Sequence, residues 1–249
     1  MQNPSYRVPG IFTKISGLIA AESTRHGGVS VGPYASQNLG INTDDDPAHV
    51  AENRRRFLAN WHLTEADLAS SYQVHGTAIR VATAGERTHG FDAIITNKPS
   101  LLVGVTVADC TPVLIVDPQN KVVAAIHAGW RGTVGGIVAE TLRLMQAEFG
   151  TNPRDCLAYV GTCIDECDFE VSADVAAQFA PDHRQPGPVA GKAFVDLKKA
   201  NADQLRAAGI PDAQVEVSPY STVAYNADYF SHRYEKGITG RMLAVIGFR

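Results

Sequence analysis

This sequence is short of the features that would place it in a membrane, on nucleic acid or in a disulfide scaffold. Its 249 residues contain no apolar run of the length a bilayer requires, about 20 residues for a spanning helix. The opening MQNPSYRVPGIF lacks the basic start and apolar stretch of a secretory signal, so a cytoplasmic location is expected. Cysteine is scarce. Four in a chain of this length cannot staple it, and reducing surroundings would leave them free for metal binding or nucleophilic work. An excess of positive charge is missing too. The 22 lysines and arginines stand against 26 aspartates and glutamates, a formal net charge of -4 without blocks. Neither nucleic acid nor a membrane is therefore expected as a partner, and an anionic ligand must be held by local cations. No GxGxxG or GxxxxGKS/T motif occurs, which removes dinucleotide-binding and P-loop chemistry.

What is present is a globular composition, 45% hydrophobic and 19% charged, and residues 1–249 read as a single domain with one large core. Asp46 followed by Pro47 marks a helix start, a capping carboxylate and then a proline whose missing N–H costs nothing there. Val50, Phe57, Leu58 and Trp61 recur at helical spacing and carry this helix to about residue 60. Further helices are expected over 133–149, closed by Gly150, from Ser172 to 179, and over 197–208, capped by Asp196. Strands are expected within 11–22, over 71–82 with a bend at Gly76, and over 91–96, 101–107, 157–160, 215–217 and 241–248. Hairpin and crossover connections are mixed, so the expected class is α+β (mixed α/β), with three layers and one mixed β-sheet covered by helices. Arg54, Arg55 and Arg56 point in different directions around their helix and read as a solvated face. The long loop 23–40 carries Arg25, His26 and Asn38, and from the loop alone a ligand contact and a plain surface weigh evenly.

Chemistry concentrates in 106–132, TVADCTPVLIVDPQNKVVAAIHAGWRG. Apolar residues 112–116 and 122–126 flank a break at 117–120, which reads as a tight hairpin. Pairing Asp117 with Lys121 sets Cys110 opposite Ala128, and so beside His127, within reach of a shared metal ion or a thiolate–imidazole contact. HAGWRG then passes into a helix, which places free backbone N–H groups and Arg131 near His127 as a cradle for phosphate or a carboxylate. His75 precedes Gly76, where a kink turns its side chain out of the ladder. Two chemistries fit. Either His75, Cys110 and His127 hold zinc with a fourth position open, or Cys110 is a nucleophile with His127 as its base, a thiol hydrolase pair. Spacing leaves both open, and the second histidine in its kinked setting favours metal. Cys156, Cys163 and Cys167, without a histidine or CxxC spacing, read as small buried side chains. A glycine turn near the end of the chain carries His232, Arg233 and Arg241.

QVHG at 73–76, ADC at 108–110 and HAGWRG at 127–132, with STRHGGVS at 23–30 and TGR at 239–241, resemble the motifs of the laccase-domain family, also called the multicopper polyphenol oxidase family. The resemblance covers nearly the whole chain in order. An oxidase with several coppers needs clustered histidines, which the eight scattered here do not supply. The resemblance implies instead a zinc-dependent purine nucleoside phosphorylase, with copper as the alternative metal. Its expected substrates are adenosine, inosine, guanosine and methylthioadenosine with phosphate, and adenosine deamination is expected beside phosphorolysis. Carried over by motif, His75, Cys110 and His127 are the metal ligands, and Asp109 is an acid/base beside Cys110. Arg25, Asn38 and Arg131 line the substrate pocket. One segment departs from the family's pattern: Thr162 stands where a proline is usual, and Asp165 and Glu166 where a glycine–proline pair is usual. If it forms a pocket wall, two added carboxylates would alter nucleoside preference or disfavour phosphate. Some bacterial members suggest a third class, a non-catalytic or cell-wall-editing accessory protein.

Overall fold

The segments around 102–107 and 242–248 are apolar at every position but Thr106, a composition that is stable only where both faces of a strand are covered. In the computed structural model, which describes residues 3–249, both lie inside a six-stranded sheet. Its order is Tyr6–Arg7, Leu18–Ser23, Met242–Phe248, Leu102–Val107, Leu68–Tyr72, Arg87–His89. The first four strands are antiparallel and the last two join in parallel. A second six-stranded sheet runs Val215–Val217, Leu157–Val160, Thr111–Asp117, Val122–Ala128, Ala93–Thr96, Ile79–Val81. The two sheets pack face to face: Val103, Val105, Ala244 and Ile246 of one meet Ile94, Leu114, Val116, Val123 and Ala125 of the other.

Helix α1, Pro47–Ala59, lays Phe57 and Leu58 on the outer face of the first sheet, against Leu68, Leu102, Leu243 and Val245. Four more helices follow, α2 at Trp130–Val134, α3 at Ile137–Phe149, α4 at Ala173–Ala176 and α5 at Leu197–Ala207. α3 and α5 cover the outer face of the second sheet through Ile137, Val138, Leu142, Met145, Ala202 and Leu205. The mixed α/β class read from the sequence holds. The layers run helix, sheet, sheet, helix, because the mixed sheet is two sheets, each hidden on both faces. No helix among the described residues is long and apolar enough to cross a membrane.

Local signals set most element ends. The Asp46 carboxylate accepts the Ala48 N–H at 2.8 Å and that of Asp196 accepts the Lys199 N–H at 2.8 Å, so both capped starts form as read. The helix expected over 133–149 is instead two, broken where Gly136 takes φ 74°. Ser172 makes no side-chain cap, and α4 ends at Ala176. The strand expected over 71–82 also divides, since Leu68–Tyr72 belongs to one sheet and Ile79–Val81 to the other. Residues 73–78 cross between the sheets and carry His75. Arg54 is not on a solvated face: only 3% exposed, it pairs with both oxygens of Glu65 at 2.6 and 2.9 Å and donates to the Leu39 carbonyl. Arg55 and Arg56 do lie outside, both paired with Glu52.

A small third sheet, Glu170–Ser172, Lys192–Val195 and Arg184–Pro186, makes a lobe with α4. Its apolar side, with Phe169, Phe179 and Val195, packs on Trp130 at the start of α2. This lobe and the crossing 73–78 stand around the open end of the central hairpin.

Candidate active site

The hairpin forms one residue out of the expected register. Asp117 pairs with Val122, Pro112 with His127 and Thr111 with Ala128, so Cys110 lies one step beyond the ladder. The turn explains the shift. The Asp117 carboxylate accepts the N–H groups of Gln119 at 3.0 Å and Asn120 at 3.1 Å and the Asn120 side-chain amide at 2.8 Å, while Lys121 takes φ 53°. These contacts hold Lys121 in the turn rather than in the strand. Cys110 still reaches His127, because the chain turns sharply at Asp109, where φ is 81°.

His75, Cys110 and His127 bring one ligand atom each within 4.8 Å of one another. The two imidazoles meet edge to face, centroids 4.7 Å apart at 81°. Tetrahedral zinc with bonds of about 2.0 to 2.3 Å sets its ligand atoms about 3.3 to 3.8 Å apart, so a small inward movement closes this set. The space between them is kept by Gly129. A Cβ there would lie 3.1 Å from Cδ2 of His75 and 3.2 Å from the Cys110 sulfur. Two imidazoles, one thiol and a cradle that a methyl group would fill suit a single metal ion.

Sequence reasoning missed the residue that holds this group together. Asp92, fully buried, accepts the N–H groups of Val74, His75 and Gly76 at 3.2, 2.9 and 2.8 Å and pairs with His127 Nδ1 at 2.8 Å. One carboxylate thus fixes the left-handed turn at His75, φ 60°, and leaves Nε2 of His127 as the nitrogen free to bind metal. The available signal was an acid directly before the apolar run 93–95, a position where burial compels it to find donors. Burial opposes its ionisation, yet the His127 contact and the backbone N–H groups hold its carboxyl below the ordinary value. Burial also pushes the Cys110 thiol up, but His127 and His75 outweigh it and bring the thiol to about 6. Burial pushes the His127 imidazole down, and Cys110 and Asp92 outweigh it and raise the ring to about 9.

The group lies in a cavity of about 470 Å³, within the range of small-molecule sites. Tyr72, Trp130 and Phe169 give it aromatic walls, and Arg131, His232, Arg233 and Arg241 line it with Asp109. The exposed Arg131 lies over the Trp130 ring at 4.3 Å and makes no ion pair among the described residues. Arg241 donates through Nη1 to the Thr239 and Gly240 carbonyls, both at 2.8 Å, leaving Nε and Nη2 without a partner among the described residues. Burial lowers its guanidinium from the ordinary value, which marks it as the more desolvated cation.

Not every sequence-selected residue reaches this space. Arg25 stacks on Phe230 at 4.5 Å, donates to the Ala35 and Asn226 carbonyls at 2.9 and 2.8 Å and pairs with Glu235 at 3.2 Å, away from the lining. Asn38 is fully buried and also off the lining, but its side-chain oxygen accepts the Arg241 N–H at 2.9 Å. It supports the cavity at one remove. In the segment 161–172 only Ile164 and Phe169 face the cavity. Thr162 instead hydrogen-bonds the buried Glu22, Asp165 pairs with Lys198 at 2.5 Å, and Glu166 accepts from Gln185 at 3.1 Å. The two added carboxylates therefore do not line the pocket. Cys156 and Cys163 are buried as read, whereas Cys167 is exposed. Asp182, His183 and Asp203 also cluster, but Lys199 already pairs with both carboxylates at 2.8 and 2.7 Å.

Fold and site together define a helix-covered, double-sheet protein whose cavity is built on one two-histidine, one-cysteine ligand group. Known proteins share this fold over nearly the whole chain. The pattern of the family described as multi-copper polyphenol oxidoreductase laccase matches residues 19–249, and the chain belongs to that family. It is 39% identical over 249 residues to a protein of Deinococcus radiodurans named purine nucleoside phosphorylase, covering 99% of this chain and 92% of that one. It is 37% identical to the purine nucleoside phosphorylase YlmD of Geobacillus stearothermophilus, covering 94% and 91%. The crystal structure of YlmD superposes with a TM-score of 0.92 at 33% identity, covering 100% and 98% of the two chains. That of Bacillus licheniformis YfiH gives 0.93 at 30% identity, covering 99% and 97%.

Proposed function

We propose that this cavity phosphorolyses purine nucleosides (adenosine, inosine, guanosine and methylthioadenosine) with zinc held by His75, Cys110 and His127, and that it also deaminates adenosine. The observation that carries this reading is the convergence of those three ligands in a cavity that also presents the Arg131 guanidinium and the free Nε and Nη2 of Arg241. The names of relatives that match over nine-tenths of the chain support it. In phosphorolysis an oxygen of phosphate bonds to C1′ of the ribose while the bond from C1′ to the purine nitrogen breaks. The bonding pair leaves with the base, which takes up a proton. Arg131 and Arg241 offer N–H donors to the phosphate oxygens and offset its charge. The His232 ring, which has no hydrogen-bond partner among the described residues, can hold the proton that the leaving nitrogen takes. Tyr72 and Phe169 offer faces on which a purine can stack. When bound, zinc supplies Lewis acidity, the chemistry needed to activate water against the purine C6 in deamination.

A thiol hydrolase remains the second reading, because Cys110, His127 and Asp92 also follow one another as nucleophile, base and orienting acid. His75 weighs against it, since a hydrolase has no use for a second imidazole on the sulfur. Metal-quantified protein incubated with adenosine, with and without phosphate, separates the readings. Adenine appearing only with phosphate supports phosphorolysis, and inosine under either condition supports deamination. Zinc-loaded protein that makes neither product overturns the proposal and leaves the accessory role. Metal-free activity on an amide or ester, abolished by alkylating Cys110, assigns the thiol hydrolase.

A further inference from the structure

We propose that Asp109 is a positioning residue: with Arg233 it forms a clasp that ties the substrate wall of the cavity to the strand end carrying Cys110. Residues 222–241 contain no helix or strand, so ladder hydrogen bonds do not place them. Side chains do, and Asp109 is central to them. Its Oδ1 accepts the hydroxyls of Thr222 at 2.5 Å and Ser231 at 2.8 Å, and its Oδ2 accepts the Arg233 N–H at 2.6 Å. Its own carbonyl accepts the Ile164 N–H at 3.1 Å.

The contact continues through Arg233. Its guanidinium donates to the Asp168 and Glu170 carbonyls, each at 3.0 Å, and lies over the Phe169 ring at 5.5 Å. A single chain of contacts therefore runs from the neighbour of Cys110, through the turn that carries His232 and Arg233, to the lobe that carries Phe169. Both carboxylate oxygens of Asp109 face this turn. The backbone at Asp109 has φ 81°, a left-handed conformation that Asp and Asn adopt more readily than most residues, and it turns the side chain toward these partners. Asp109 thus acts through the side chains it places around the substrate.

The test rests on the phosphorolysis reading for its kinetics and on amide exchange for a readout independent of it. Asp109→Asn keeps a residue that tolerates left-handed φ while weakening the acceptor for the Arg233 N–H. In zinc-loaded protein we expect the nucleoside KM to rise about 10-fold with kcat within about threefold, the signature of lost ground-state placement. Amide exchange over 222–233 should quicken. Arg233→Ala should raise KM similarly, and the double variant should be no worse than the more affected single, because both break one clasp. Thr222→Val with Ser231→Ala, which leaves Asp109 in place, should repeat the effect and carries the test if Asp109→Asn does not fold.

A kcat loss of about 100-fold or more in Asp109→Asn at unchanged KM would assign it proton transfer and overturn the proposal. Additive KM effects of Asp109→Asn and Arg233→Ala would overturn it too. If the wild-type protein turns over no nucleoside, the functional reading fails instead. The clasp is then judged by exchange, and unchanged exchange over 222–233 in Asp109→Asn refutes it.

Discussion

Asp92→Asn is the substitution that most directly tests how the ligand group is built. The carboxylate serves two pairs of donors: Oδ1 takes the His75 N–H and His127 Nδ1, and Oδ2 takes the N–H groups of Val74 and Gly76. An amide of the same shape has one acceptor oxygen. Whichever way it turns, its NH2 faces a pair of donors with no water to satisfy them, since the site is fully buried. Each lost hydrogen bond to a charged group costs about 1.5 to 3 kcal/mol, so losing a pair costs about 3 to 6 kcal/mol. At roughly 2 to 4 °C per kcal/mol for a chain of this size, Tm should fall by about 10 °C. Zinc affinity, measured by competition with a chromophoric chelator, should fall about 10- to 100-fold, because His75 and His127 lose their common orienting group. Because the folded Asp92 carboxyl lies below its ordinary value, its stabilisation is present above about 3.9 and is lost as pH falls through the folded value. The variant should accordingly lose less stability on acidification than the parent. Unchanged zinc affinity together with a Tm shift under about 2 °C would refute the role given to Asp92.

Other substitutions and conditions separate the parts of the site. Gly129→Ala has an ordinary backbone to occupy, φ -71°, but its methyl would lie 3.1 Å from His75 and 3.2 Å from Cys110. It should abolish stoichiometric zinc in elemental analysis while far-ultraviolet circular dichroism stays native. In protein stripped of metal, Cys110 should react with iodoacetamide with a midpoint of about 6, while zinc should block the reaction; mass mapping distinguishes Cys110 from the exposed Cys167. The lowered thiol contributes stability that is lost as pH falls through about 6, and the raised His127 contributes stability that is lost as pH rises through about 9. Metal-free protein should therefore gain most from the pair between those values. Arg241→Ala should raise the KM for phosphate about 10-fold and leave that for the nucleoside nearly unchanged; the reverse pattern would move the phosphate elsewhere.

The remoter parts of the site were harder to read than its ligands, and the reason is geometric. Arg25 lies in the motif at 23–30 and Asn38 in the loop that continues from it, yet a sequence pattern records which residues occur together and not which way a side chain turns. Arg25 is held by Glu235 and two carbonyls, and Asn38 by Thr43, Asp45 and the Arg241 backbone. Asp92 gave the weakest sequence signal of any residue at the centre, because one acid before a strand is a common arrangement. Its four contacts come from the crossing 73–78 and from His127, which meet only in the folded chain.

By itself the sequence determined the capped starts of α1 and α5, the mixed α/β class, the central hairpin and the grouping of His75, Cys110 and His127. These follow from rules that act over a few residues, namely capping, apolar periodicity and turn composition, together with a ligand-bearing motif. The hairpin register, the division of one expected sheet into two and the clasp at Asp109 were decided by tertiary structure. Each depends on which of several equally apolar faces or equally polar partners meets which, and that choice is made by packing over separations such as the 113 residues between Asp109 and Thr222.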